Sequence, residues 1–219
     1  MKKSIFLLMI LLSTCVLYSQ VSKTDLKGKI GISLYGGVNI PVNGNISSTI
    51  STSEFINPGP HFGLGVSYFF TKHIGVEALF NTDVNIYNDN FKPDGKQPSV
   101  AVNSFSVNGI YNFTGQIKKN RILPYITAGV GVYSWRHLDD TPWRQGTVVT
   151  NDGIEQKASS FGFNAGVGAD YSINKNFMIG AVLDYNMYFP KDEAKFGKDF
   201  GSQGNFTPKI KLSYLLSAN

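Results

Sequence analysis

Cysteine is almost missing from this chain. Of its 219 residues only one is cysteine, Cys15. Every residue after it lacks a thiol, which excludes a disulfide framework and a thiolate metal site. Long apolar runs are also missing. No stretch after residue 20 reaches 18 consecutive apolar residues, so no transmembrane helix is expected. Basic stripes are absent too. The densest cationic run is Lys118-Lys119 with Arg121, far short of the continuous positive face that nucleic-acid binding needs. The formal net charge of +5 is a mild excess. There is no P-loop, no zinc-ligand spacing and no dinucleotide fingerprint. No cofactor and no nucleic-acid partner are therefore expected.

The first twenty residues read as an export signal. Lys2 and Lys3 form a basic start, residues 5–12 an apolar run, and residues 14–19 a small and polar stretch. This is the layout of a secretory signal peptide, and the apolar run is too short to cross a bilayer. Cleavage is expected near Ser19-Gln20, which lowers the formal charge from +5 to +3. A second processing route stays open. Leu12-Ser13-Thr14-Cys15 resembles a lipoprotein cleavage box, although Thr14 is bulkier than the residue usual there. The length suits one domain. The expected organisation is a signal peptide over 1–19, a short periplasmic segment over 20–28 and a single domain over 29–219.

That domain is rich in glycine (23 residues), phenylalanine (16) and tyrosine (11). Its recurring pattern has period two, the spacing of a strand with two unlike faces. Over 29–40, Ile30, Ile32, Leu34, Val38 and Ile40 oppose Gly31, Ser33, Tyr35, Gly37 and Asn39. Over 62–70, Phe62, Leu64, Val66, Tyr68 and Phe70 share a face. Over 74–86, Ile74, Val76, Ala78 and Phe80 oppose Gly75, Glu77, Asn81 and Asp83. Further strands are read to end at Phe113, over 122–135, over 161–171, over 177–187 and over 206–216. In the last of them Ile210, Leu212 and Tyr214 oppose Lys209, Lys211 and Ser213. Eight strands are expected.

The connections alternate in length. Those at 71–73 and 174–176 are tight, and 114–121 is moderate. Those at 41–60, 87–99, 138–158 and 190–205 are long and polar. Short periplasmic turns and long extracellular loops characterise an outer-membrane barrel, and an even strand count puts both termini in the periplasm. A soluble barrel is the structural alternative, since it could turn the large apolar residues inward. Aromatic placement argues against it. Phe70, Phe113, Tyr171, Phe177 and Tyr214 lie near the short turns. Phe62, Phe161, Tyr185, Phe189 and Phe206 lie near the long loops. Two such belts suit two membrane interfaces. The expected fold is all-β: an eight-stranded antiparallel up-and-down transmembrane β-barrel.

Two phrases carry a family resemblance. Leu123-Pro124-Tyr125-Ile126-Thr127-Ala128-Gly129-Val130-Gly131-Val132-Tyr133 is one, and Phe163-Asn164-Ala165-Gly166-Val167-Gly168-Ala169-Asp170-Tyr171 is the other. Both resemble the outer-membrane β-barrel domain family. That group includes PorT-like proteins and is similar in build to OmpX, OmpW and the OmpA barrel. The resemblance covers about residues 28–219 and carries the fold only. It implies a place in the bacterial outer membrane, contact with outer-membrane lipid and lipopolysaccharide, and handling by the barrel assembly machinery. One departure stands out: the chain ends Leu215-Leu216-Ser217-Ala218-Asn219, where many such barrels end in an aromatic residue.

Strand parity sends seven charged residues inward: Lys29, Glu77, Asp83, Asp170, Asp184, Lys209 and Lys211. Closing the eighth strand on the first would bring Lys209 and Lys211 toward Lys29, with Asp184 arriving from strand seven. Buried charges need partners, so an ion-pair network filling the lumen is expected. A gated path for a small solute is the alternative. For chemistry, a lipid A-modifying barrel would carry His and Ser two apart on one strand face. Here His61 is followed at that spacing by Gly63, His73 by Gly75 and His137 by Asp139. Asp139-Asp140 beside His137 reads as a solvated loop cluster. The long loops, with Trp143 and Arg144 in one of them, are the candidates for an extracellular partner. The expected function is non-enzymatic: surface integrity, adhesion or partner binding. A narrow channel and a periplasm-facing, PorT-like secretion or assembly factor with a periplasmic protein partner remain open.

Overall fold

The computed structural model describes residues 26–47, 50–93, 95–113, 122–151, 153–190 and 201–217. The stretch expected to be a signal peptide, Cys15, the whole 114–121 connection and much of the last long loop lie outside them. Among the described residues, eight long strands close into one barrel. They are β1 (Lys29–Asn43), β2 (Gly59–Phe69), β3 (Ile74–Ile86), β4 (Ser99–Asn112), β5 (Ile122–Leu138), β6 (Lys157–Ser172), β7 (Phe177–Tyr188) and β8 (Gln203–Ser217). Each pairs antiparallel with its sequence neighbours, and β8 closes on β1.

Two of the tight turns are built by side chains that imitate backbone. Thr71 Oγ1 accepts from the amides of His73 (3.1 Å) and Ile74 (2.9 Å). Asn174 Oδ1 accepts from the amides of Asn176 and Phe177, both at 2.9 Å. Thr and Asn suit such turns for this reason.

The apolar face of every strand points outward and stays exposed. Leu34, Phe62, Phe105, Val130, Phe161, Leu183 and Ile210 are all at least 45% accessible. An apolar surface this continuous belongs against lipid. It has defined edges. On β5 the outward residues are apolar from Ile122 to Val132, then become Ser134 and Arg136. The ten residue steps from Ile122 to Val132 give ~33 Å of length, or about 25 Å of height at the usual tilt, which matches a bilayer's hydrophobic band. The upper edge is a register row. Phe80, Phe105, Val132 and Phe161 are consecutive cross-strand partners, and one step higher come Thr82, Asn103, Ser134 and Ser159. Thr82 Oγ1 donates to Asn103 Oδ1 at 3.1 Å, and the Ser134 and Ser159 hydroxyls are 2.7 Å apart. At the lower edge, ring pairs Tyr68–Phe70, Tyr111–Phe113 and Phe177–Tyr214 form the other belt.

Because β5 has 17 residues and a crossing needs about 9–11, the strands rise beyond the membrane at the long-loop end. There the 44–58 loop forms a short hairpin (Asn45–Ser47 with Ile50–Ser51) and a helical turn α1 (Thr52–Phe55). The turn seats over the barrel mouth: Thr52 Oγ1 donates to Gln203 Oε1 at 2.6 Å. The 139–156 loop instead folds down the outer wall, where Val148 packs against Leu138, Ala101 and Val84. This explains why three outward-parity residues there are buried.

Candidate functional site

The lumen is filled in three layers. At the short-turn end Leu26, Phe69, Leu123, Met178 and Leu215 make an apolar floor. At the mouth Ile56, Val100, Val102, Tyr133, Trp135 and Tyr188 pack together, with Tyr133 and Tyr188 stacked at 5.3 Å. Between them lies a charged layer. Lys211 donates to Asp170 at 2.7 Å and to the Tyr125 hydroxyl at 3.3 Å, and its ammonium sits 4.6 Å from the Tyr125 ring centre. Lys209 pairs with Asp184 and lies 4.6 Å from the centre of the Tyr35 ring. The Tyr35 hydroxyl donates to Glu77 at 2.6 Å. All seven of these side chains are buried. Each cation thus has a carboxylate and a ring face, the two partners that offset its desolvation.

Glycines make room for this layer. Gly180 stands across from Asp170 on one side and Lys211 on the other. A Cβ on Gly180 would lie 2.0 Å from Asp170 Oδ1, and one on Gly166 would lie 1.9 Å from Asp184 Oδ1. The carboxylates occupy the volume these glycines leave empty. What space remains, lined by Tyr35, Glu77, Asn108, Asp184, Lys209 and Lys211, suits about one water molecule.

The inward charges predicted from parity divide by height. Glu77, Asp170, Asp184, Lys209 and Lys211 meet in the central layer. Asp83 sits nearer the mouth, where its Oδ1 is 2.6 Å from His61 Nδ1. Lys29 does not join either group: its ammonium donates to Ser217 Oγ at 2.7 Å on the exposed short-turn rim. The closing register places Tyr35, not Lys29, opposite Lys211 and Gly37 opposite Lys209. Strand parity specifies the face of a residue and carries no information on its height, so parity does not separate Lys29 at the rim from the charges of the central layer. Tyr35, Tyr125 and His61 share the inward parity of the charges, and that was the signal for including them. The floor residues Phe69, Met178 and Leu215 carried no such signal, because apolar residues there stand on the otherwise polar face.

Residues 5–207 match the model of the outer membrane protein beta-barrel domain. The chain belongs to this family. It is a bacterial outer-membrane β-barrel protein. Outer membrane protein PagN of Salmonella typhimurium is 32% identical over 87 residues, covering 39% of this chain and 34% of PagN. The match thus spans about a third of that relative's length. Neisserial surface protein A has a crystal structure that superposes with a TM-score of 0.56 at 12% identity, covering 89% of this chain and 99% of that one. At that identity the likeness is one of fold.

In this family barrel the residues around His137 do not converge. The His137 imidazole is buried, with Nδ1 2.6 Å from the Tyr87 hydroxyl. Asp139 is turned away in the loop. Its carboxylate takes the Lys96 ammonium at 3.0 Å and the Thr147 amide at 2.6 Å, which hold its pKa down to about 2. Asp140 faces Arg144 at 3.6 Å. The Lys96–Asp139 contact ties the second long loop to the third. Glu54, at the start of α1, accepts from the Ser51 amide at 3.1 Å, which lowers its pKa.

Proposed function

We propose that this barrel is a non-enzymatic, non-conducting scaffold that holds its long loops at the cell surface for adhesion or partner binding. The observation that carries the reading is the filled lumen. An apolar floor, a layer of ion pairs and an aromatic mouth follow one another along the axis. A solute would have to break the Lys211–Asp170 and Lys209–Asp184 pairs to pass, leaving buried charges without partners. The loops support the same reading. They are braced rather than free: the first over the mouth by Thr52–Gln203, the second and third to each other by Lys96–Asp139. A rigid scaffold presenting ordered loops is a common arrangement for binding. Trp143, 58% exposed in the third loop, is a large apolar group offered to solvent beside Arg144, and both residue types are frequent binding anchors.

Two measurements test this. In planar bilayers the purified protein is expected to give no conductance steps under conditions where a general porin does; steady openings would overturn the scaffold reading. Whole cells carrying the protein are expected to attach to glycan or matrix surfaces. Cells in which short linkers replace residues 44–58 and 139–156 are expected not to attach, with the barrel still inserted. Equal attachment by the linker cells would refute a binding role for the loops.

A further inference from the structure

On the outer wall of β5 and β6, two cross-strand pairs form a square just above the apolar band. Ser134 faces Ser159, and one step higher Arg136 faces Lys157. All four have outward parity. The two hydroxyls touch at 2.7 Å and are exposed. Arg136 Nε is buried and has no hydrogen-bond partner. Lys157 is exposed and pairs with Glu155 at 2.5 Å. Directly below come Val132 and Phe161, then Val130 and Phe163, with the two phenylalanine rings 5.6 Å apart.

We propose that this square binds the phosphorylated headgroup of an outer-leaflet glycolipid. The chemistry is that of an oxyanion site. A guanidinium and an ammonium supply charge, and two serine hydroxyls can turn to donate. Arg is suited to phosphate because its fork offers parallel donors. The position selects a lipid rather than a free anion. Acyl chains lying on Val130, Val132, Phe161 and Phe163 would bring their headgroup to the height of Ser134 and Arg136. By the loop rule this is the extracellular side of the membrane. The patch is lopsided in a useful way. The neighbouring wall over β3–β5 is covered by Val148 and the third loop, so a headgroup on the square is flanked on one side by protein. Glu155 competes for Lys157. Both ends of that pair are more than half exposed, a setting in which an ion pair holds weakly and can exchange for phosphate. The proposal goes beyond the scaffold role and does not depend on it.

Native mass spectrometry of the full chain extracted in mild detergent tests the site, with bis-phosphorylated lipid A as the probe. Wild-type protein is expected to retain it. Arg136→Gln with Lys157→Gln is expected to bind about ten- to thirtyfold more weakly, the effect of removing two cations beside an anionic lipid. Glu155→Gln is expected to bind several-fold more tightly. Lys72→Gln, on the opposite rim, is expected to bind as wild type. The proposal is overturned by equal binding of the double variant, or by equal retention of phosphate-free lipid A, which would mean that the chains alone are held. Full displacement by millimolar inorganic phosphate would also overturn it, since the site would then be one for free phosphate. If the double variant does not fold, Glu155→Gln decides the matter: no gain in retention overturns the proposal.

Discussion

Asp170 and Lys211 lie on strands that are not neighbours, yet they form a 2.7 Å ion pair that passes over Gly180 on the strand between them. The pair exists because residue 180 has no side chain. Three consecutive positions around the barrel thus read acid, gap, base, and the same logic seats Asp184 over Gly166.

Gly180→Ala therefore tests the packing of the layer. Its Cβ would fall 2.0 Å from Asp170 Oδ1, whereas a Cβ on the outward Gly36 meets nothing within 4 Å. Gly180→Ala is expected to cost about 1–3 kcal/mol, the range for overpacking. Gly36→Ala is expected to be neutral or slightly stabilising. Urea unfolding of the refolded barrel in lipid vesicles, followed by gel mobility, measures both. Equal midpoints for the two variants would show that the glycine gap is unimportant.

The ion pair itself can be tested by a double-mutant cycle. Asp170→Leu or Lys211→Met alone leaves a buried charge without its partner, at about 3–5 kcal/mol. The double variant is expected to recover most of that loss, because both charges leave together. Additive losses would argue against the pair. Glu77→Ala and Asp184→Ala are also expected to lower stability, the first by leaving the Tyr35 hydroxyl without its acceptor. If both unfold at the wild-type midpoint, the charged layer is not a structural plug.

The membrane band can be probed by depth. Val107 faces outward midway along the apolar part of β4, and Thr82 sits in the polar row above it. Val107→Lys is expected to cost about 2–4 kcal/mol in lipid and Thr82→Lys about 0–1 kcal/mol. Equal costs in vesicles would contradict the assigned edge of the band.

A pH dependence follows from Asp139. The Lys96 ammonium and the Thr147 amide hold its carboxyl at about 2, below the ordinary value of 3.8. A depressed carboxylate contributes above its ordinary pKa and loses that contribution as pH falls through the folded value. The tie between the second and third loops is therefore expected to be intact at pH 5 and to loosen only as pH nears 2. The Thr147 amide resonance in a detergent micelle reports it. Lys96→Gln is expected to move the midpoint upward, and an unchanged midpoint would remove Lys96 from the tie.

The sequence by itself determined the strands, their faces and the alternation of short and long connections. Those features are local. Side chains alternate every residue along a strand, and turns need particular residues such as Thr71 and Asn174. Parity alone placed Tyr35, Glu77, Tyr125, Asp170, Asp184, Lys209 and Lys211 on one wall. Only the tertiary structure decided which of them meet. Closing a barrel staggers its strands, and the stagger sets the height of every residue relative to strands far off in sequence. That stagger put Tyr35 opposite Lys211 and left Lys29 at the rim beside Ser217. It also aligned Asp170, Gly180 and Lys211 in one row, and brought Arg136 and Lys157 together just above the apolar band. Register is a property of paired strands, and no single strand contains it.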